Sequence, residues 1–128
     1  MLRDAPIMAI LPATDIERAK SFYRETLNLR PLDFGVGDDA AFECGDGTRL
    51  YVYAKEGGTK AEHTVAGWLV EDVEETVEEL RQKGVVFETY DMPGLKTDER
   101  GIADMGDAKA AWFKDTEGNI LSVTSRAE

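Results

Sequence analysis

The sequence predicts an α+β protein built from two βαβββ modules. Three observations carry this. Short apolar strands alternate with two stretches of helical periodicity. Each helical stretch opens on an aspartate directly after a strand, Asp15 in the first half and Asp72 in the second. Each half also closes on a turn glycine before its last strand, Gly47 and Gly118. The second half is the longer because of an extended loop before its final hairpin. A chain of 128 residues with 42% hydrophobic and 32% charged residues has the balance of a folded domain. One half alone is marginal in size, so the two are expected to fold together.

The elements follow in order. Pro6 to Leu11 reads as an apolar strand, stopped by Pro12. Thr14 or Asp15 is a good N-cap, and Glu17 stands three residues after Thr14, as in a capping box. Ile16, Ala19, Phe22, Tyr23 and Leu27 then recur at helical spacing. Asn28 ends this helix and Pro31 bars its continuation. Strands are expected at 32–36, 40–44 and 49–54, separated by turns at Gly37-Asp38-Asp39 and Gly45-Asp46-Gly47. The polar, Gly-rich segment 56–62 reads as a linker between modules 1–55 and 63–128. In the second module, 63–70 is a strand and Asp72 caps a helix running to about Lys83. Val73, Val77 and Leu80 form its apolar face, and Gly84 terminates it. A strand at 85–90 is followed by a long loop to about Asp107, with one β segment left open inside it. Strands at 109–114 and 119–124 flank the turn Asp115-Thr116-Glu117-Gly118.

Charge excludes some functions. Fifteen basic against 26 acidic residues leave a net charge of −11, which repels nucleic acid. Glu71, Asp72, Glu74, Glu75, Glu78 and Glu79 crowd the second helix and read as a solvated face, although an acidic chain also attracts cationic small molecules. No apolar run approaches the roughly 20 residues of a membrane span. The opening Met1-Leu2-Arg3-Asp4-Ala5-Pro6 has no apolar signal core, so a cytoplasmic protein is expected. A single cysteine, Cys44, excludes an internal disulfide, and its acidic neighbours Glu43 and Asp46 make it a passive residue.

Three motifs in register point to a family. Thr14-Asp15-Ile16-Glu17-Arg18-Ala19-Lys20-Ser21-Phe22-Tyr23 with Leu27-Asn28-Leu29 resembles the first helix of the vicinal oxygen chelate superfamily. Val70-Glu71-Asp72-Val73-Glu74-Glu75 resembles its second helix entry. Trp112-Phe113-Lys114-Asp115-Thr116-Glu117-Gly118-Asn119-Ile120-Leu121 resembles its final hairpin, with Thr116 where proline is common. That superfamily includes glyoxalase I, bleomycin-resistance proteins, fosfomycin-resistance enzymes and extradiol dioxygenases. The resemblance implies two modules curled into an incomplete barrel around a cavity; two such modules leave open edges and exposed sheet, so a homodimer that completes the cavities is expected. It also implies up to four metal-ligand positions, on the first and last strand of each module. Counted from the helix-opening aspartates and the turn glycines, they fall at Met8, Tyr51, Val65 and Ser122. A divalent ion of the family's kind needs imidazole or carboxylate donors, and none stands there. No metal and no cofactor is therefore expected.

Other residues are candidates for binding. The resemblance makes Met8, Ile10, Tyr51, Tyr53, Val65 and Leu69 the cavity wall, with Ser122 and Thr124 on the corresponding face of the second half. Tyr51 and Tyr53 alternate onto one face with Arg49. His63, the only histidine, lies two residues before Val65 and is a candidate acid/base or ligand contact, or else a solvated linker residue. Trp68 has the opposite parity to Val65 and is expected under the second helix, while Trp112 suits either face. The loop 92–101 reads as a flap or as a surface excursion. The expected function is non-catalytic binding of a small molecule, cationic or aromatic and antibiotic-like. The alternatives are a lyase, isomerase or dioxygenase-type enzyme with metal-free or non-standard chemistry, and a regulatory module with a vestigial cavity.

Overall fold

The computed structural model describes residues 1–126, and the side chain of Arg126 lies outside the description. Its contacts divide the chain into two compact units. The first is Met1–Lys60 together with Thr116–Gly118; the second is Ala61–Asp115 together with the chain from Asn119 onward.

In the first unit, strand β1 (Met8–Ala13) leads into helix α1 (Ile16–Ser21), and β2 (Arg30–Leu32), β3 (Ala40–Glu43) and β4 (Arg49–Ala54) follow. The sheet runs in the order β1-β4-β3-β2, with β1 parallel to β4 and the other pairs antiparallel. Alternation puts Leu11, Ala13, Phe42, Leu50 and Val52 on one face, where Ile16, Ala19 and Tyr23 cover them and all are buried. Each large side chain so buried contributes about 1.5–3 kcal/mol. Pro12 does not stop β1. It lies inside the strand opposite Tyr53, because β1 is an edge strand and the ring needs no ladder donor there.

The first helix is shorter than its periodicity suggests. After one and a half α-turns the backbone widens into a π-turn over Phe22–Thr26, with the Leu27 amide donating to the Phe22 carbonyl at 3.1 Å. The widened turn holds Tyr23 fully buried, with ring centroids 5.3 Å from Phe22 and 5.8 Å from Phe42. Asn28 closes the helix at φ 58°, a left-handed conformation that asparagine tolerates. The strand expected at 32–36 ends at Leu32, since Gly35 and Gly37 both take positive φ and bend the chain away.

The second unit repeats this topology. Strand β5 (Thr64–Leu69) leads into α2 (Val73–Gln82). A short hairpin, β6 (Asp91–Met92) with β7 (Leu95–Lys96), precedes β8 (Ile102–Asp104), β9 (Ala108–Lys114) and β10 (Ile120–Arg126). The sheet order β5-β10-β9-β8 matches that of the first unit strand for strand. Val73 and Val77 are buried on the helix, and Ala111, Phe113, Leu121 and Val123 on the strands beneath it. The αβ entry is built as expected, with the Asp72 side chain accepting from the Glu75 amide at 3.0 Å.

One assignment is overturned. The segment 85–90 is not a strand. Its backbone meets the sheet at Phe87, which bridges to Phe113, and through the Glu88 amide, which donates to the Trp112 carbonyl at 2.8 Å. The place of the second strand is taken by Ile102–Asp104, inside the stretch read as loop, because Ile102 pairs with Ala111 on the same edge of β9. The segment 92–101 carries its own hydrogen bonds. Thr97, buried, accepts from the Tyr90 amide at 2.8 Å, and the Asp98 carboxylate accepts from the amides of Arg100 and Ile102. Among the described residues no helix is long and apolar enough to cross a membrane.

Candidate functional site

Helices cover one face of each sheet, so the other face is where ligands have access. In the first unit that face is laid out in cross-strand rows. Arg30, Glu43, Arg49 and Met8 form one row, and Leu32, Ala41, Tyr51 and Ile10 the next. Tyr53 and Pro12 form the third. The sequence-derived residues Met8, Ile10, Tyr51 and Tyr53 thus come together. Met8 is 38% exposed and Ile10 55%, an apolar strip facing outward.

A feature not anticipated from sequence sits on this strip. The segment 33–39 folds back onto Tyr51. The Tyr51 hydroxyl donates to Asp39 Oδ2 at 2.7 Å and accepts from the Val36 amide at 3.2 Å. Asp39 Oδ1 accepts from the Ala54 amide at 3.2 Å. The Phe34 ring meets the Tyr51 ring edge-on, centroids 5.8 Å apart, and the Arg49 guanidinium lies 5.9 Å from the Phe34 centroid. Phe34 lies in the stretch 32–36, whose alternation predicts a strand. The two nearby glycines, Gly35 and Gly37, are the signal that a loop begins there.

The hydrogen bond to Asp39 raises the Tyr51 pKa above its ordinary value, so the phenol stays protonated across the physiological range. Tyr51→Phe is therefore expected to free the loop without disturbing the sheet. Amide exchange at Val36 should quicken by about 3- to 10-fold, as for a local opening that has lost its partner, while Leu50 and Val52 stay unchanged. Unchanged exchange at Val36 would contradict this latch.

In the second unit the helix-free face carries Gly67 and Leu69 on β5, Ser122 and Thr124 on β10, and Trp112 on β9. Leu69 pairs with Thr124 and is 76% exposed. Trp112 pairs with Ser122 and meets Tyr90 edge-on at 5.6 Å, which settles its face. Trp68 pairs with the buried Val123, on the helix side. Val65 stands at a register shift, between the pairs Thr64–Ile120 and Ala66–Leu121. His63 is not on the strand. It lies exposed in a bend before Thr64, so strand alternation does not place it with Val65. Two concavities of this unit contain none of these residues. One, of about 350 Å³, is lined by Glu71, Asp72, Glu74, Asp104 and Lys109, and the other, of about 430 Å³, by Arg81, Val86, Phe87 and Glu99. In the first, Glu74 is held below the ordinary glutamate range by its hydrogen bonds to Lys109 (2.6 Å) and Arg100 (3.0 Å).

The metal-ligand positions inferred from the sequence do not fit a divalent ion. Met8 offers a soft thioether, Val65 nothing, Ser122 a hydroxyl, and Tyr51 a protonated phenol already bonded to Asp39. Among the described residues no group of three or more His, Cys, Asp or Glu side chains is placed to hold a metal.

A repeated four-stranded βαβββ unit with its helix on one face is the glyoxalase type of fold. The sequence matches the model of the Glyoxalase/Bleomycin resistance protein/Dioxygenase superfamily over residues 6–123, and the chain belongs to that superfamily. Solved structures agree on the fold. A glyoxalase family protein from Bacillus anthracis superposes with a TM-score of 0.74 at 17% identity, covering 96% of this chain and 95% of its own. TnmS3, an antibiotic binding protein from Streptomyces sp. CB03234, gives a TM-score of 0.74 at 19% identity over 99% of both chains. Lactoylglutathione lyase from Agrobacterium tumefaciens gives 0.66 at 19% identity, covering 94% of this chain and 93% of its own. No curated protein sequence matches the chain.

Proposed function

We propose that this protein is a non-catalytic binder of an aromatic small molecule. The observation that carries the reading is the chemistry of the face at Tyr51. Where active relatives of the family's metal-dependent kind need ion ligands, this chain presents the thioether of Met8, the phenol of Tyr51, Val65 and the hydroxyl of Ser122, and Ile10 adds apolar surface beside Tyr51. Such a surface suits a flat apolar ring and offers no Lewis acid and no free base. The name of TnmS3 as an antibiotic binding protein supports the reading to the extent that the same fold hosts binding of that kind. Ser122, Thr124, Val65 and Leu69 are proposed as further contacts on the second unit's face. His63 is a solvated neighbour on this reading. The protein works as a homodimer in this proposal, because each sheet ends on an edge strand, β1 and β5, with one row of backbone groups unpaired by its own sheet.

Calorimetric titration with planar aromatics tests the proposal. Saturable binding with a Kd of about 1–100 µM is expected, in the range of a shallow aromatic site. Ile10→Asp, which puts a charge on the exposed strip without touching the core, should weaken it by about 10-fold or more. A panel of neutral, cationic and anionic planar aromatics that all fail to saturate would sink the reading.

A further inference from the structure

Resting on the aromatic-binding reading, the open face of the first unit also states the charge of its ligand. Arg49 projects from β4 on the same face as Tyr51 and is cross-strand from both Met8 and Glu43. In a chain of net charge −11 a surface guanidinium is expected to be claimed by a carboxylate. Glu43 is the candidate beside it, but Glu43 Oε1 pairs with Arg30 Nη1 at 3.3 Å. Among the described residues no carboxylate lies within ion-pair distance of Arg49, and its recorded contact is with the face of Phe34. The row therefore holds two guanidiniums and one carboxylate, and the Asp39 carboxylate beside it is taken up by the Tyr51 hydroxyl and the Ala54 amide, which leaves Arg49 without an ionic partner among the described residues. Phe34, 48% exposed, and Met8, 38% exposed, flank that charge with ring and thioether surface.

We infer that this face binds a planar aromatic anion, with Arg49 holding the negative group and Phe34, Met8 and Ile10 contacting the ring. A guanidinium already set over an aromatic ring has its fork exposed for a planar, two-oxygen acceptor, so an aryl carboxylate fits better than a diffuse anion. The expectation from net charge alone, a cationic ligand, does not hold at Arg49: its guanidinium is unpaired among the described residues, the Asp39 carboxylate near it is engaged by Tyr51 and Ala54, and charges beyond about 8–10 Å are screened at physiological salt.

Three probes of one size separate the outcomes: 2-naphthoate, the neutral 2-naphthamide, and the cationic 2-naphthylmethylammonium, each titrated calorimetrically at pH 7. The naphthoate should bind about 10-fold tighter than the naphthamide, and the ammonium weakest. Arg49→Met should erase the naphthoate's advantage while leaving naphthamide affinity within about 2-fold, because the substituted side chain keeps its apolar stem. Phe34→Ala should weaken all three alike. Raising NaCl to about 0.5 M should shrink the naphthoate preference in wild type and leave Arg49→Met unaffected. Thermal melts of both variants within a few degrees of wild type verify folding. If naphthamide or the ammonium binds as well as the naphthoate, or if the preference survives in Arg49→Met, the anion assignment is wrong while the aromatic reading stands. If none of the three binds, both are wrong.

Discussion

Replacing Glu117 with alanine is expected to cost the fold about 2–4 kcal/mol, measured by urea unfolding at pH 7. The carboxylate is fully covered and accepts six hydrogen bonds. Oε1 takes the Thr14 amide, the Thr14 hydroxyl and the Asp15 amide at 3.0 Å each and Arg18 Nη2 at 3.1 Å; Oε2 takes Arg18 Nε and the Thr116 hydroxyl at 2.8 Å each. Two of those donors are backbone amides at the entry to α1, which the alanine variant leaves without this acceptor. Arg18 is half exposed, so its share is discounted for solvent.

The same site predicts an acid sensitivity. Burial raises the Glu117 pKa, but the bonds from Arg18, Asp15, Thr116 and Thr14 outweigh it and hold the group down at about 2. The unfolded chain binds this proton first as pH falls, so the stabilisation is complete above about pH 5 and is lost as pH drops toward 2. The gap between wild type and Glu117→Ala should therefore close over that window. A variant as stable as wild type at pH 7, within about 0.5 kcal/mol, would refute the account.

Gly101→Ala should destabilise by about 3–4 kcal/mol, the second large effect. Gly101 has φ +87°, outside the range that suits an L side chain. An added Cβ would also meet Phe87 Cβ at 2.8 Å and the Glu88 carbonyl oxygen at 3.0 Å, both held where the 85–90 segment bridges to β9. Backbone strain and overpacking each cost about 1–3 kcal/mol. Gly94→Ala separates the two causes. Its φ is +84°, yet nothing lies within 4 Å of its added Cβ, so only the strain of about 1 kcal/mol applies. Equal losses in the two variants would show that the contact with Phe87 is not what fixes Gly101.

Much of the site's lattice was legible beforehand. Period-two alternation around Tyr51 put Tyr53 and Arg49 on its face, and the ladder pairs them with Pro12 and Met8 as neighbours. The use of Arg49 was not legible. Its meaning depends on Glu43 being engaged by Arg30, a choice between two cations on adjacent strands that no local pattern encodes. The place of Phe34 is not encoded locally: Leu32, Phe34 and Val36 alternate like a strand, and only the positive φ of Gly35 and Gly37 turns them into a loop. Thr14 and Glu17 suggested a capping box, but Glu17 pairs with Lys20 at 3.2 Å, and the carboxylate that takes the Thr14 amide is Glu117, 103 positions away.

The sequence by itself determined the repeat, the helix starts at Asp15 and Asp72, the apolar helix face of Val73 and Val77, and the family. These follow from periodicity and capping, which act within one or two turns of chain. Tertiary structure alone decided that Ile102–Asp104, and not the more apolar 85–90, completes the second sheet. It decided that Pro12 sits within a strand, that Glu117 takes the Thr14 and Asp15 amides at the entry to the first helix, and which guanidinium on the open face Glu43 engages. The physical reason is common to all four. A backbone edge, a buried carboxylate and a surface cation each take the partner that the fold brings within about 3 Å, and distance along the chain has no part in that choice.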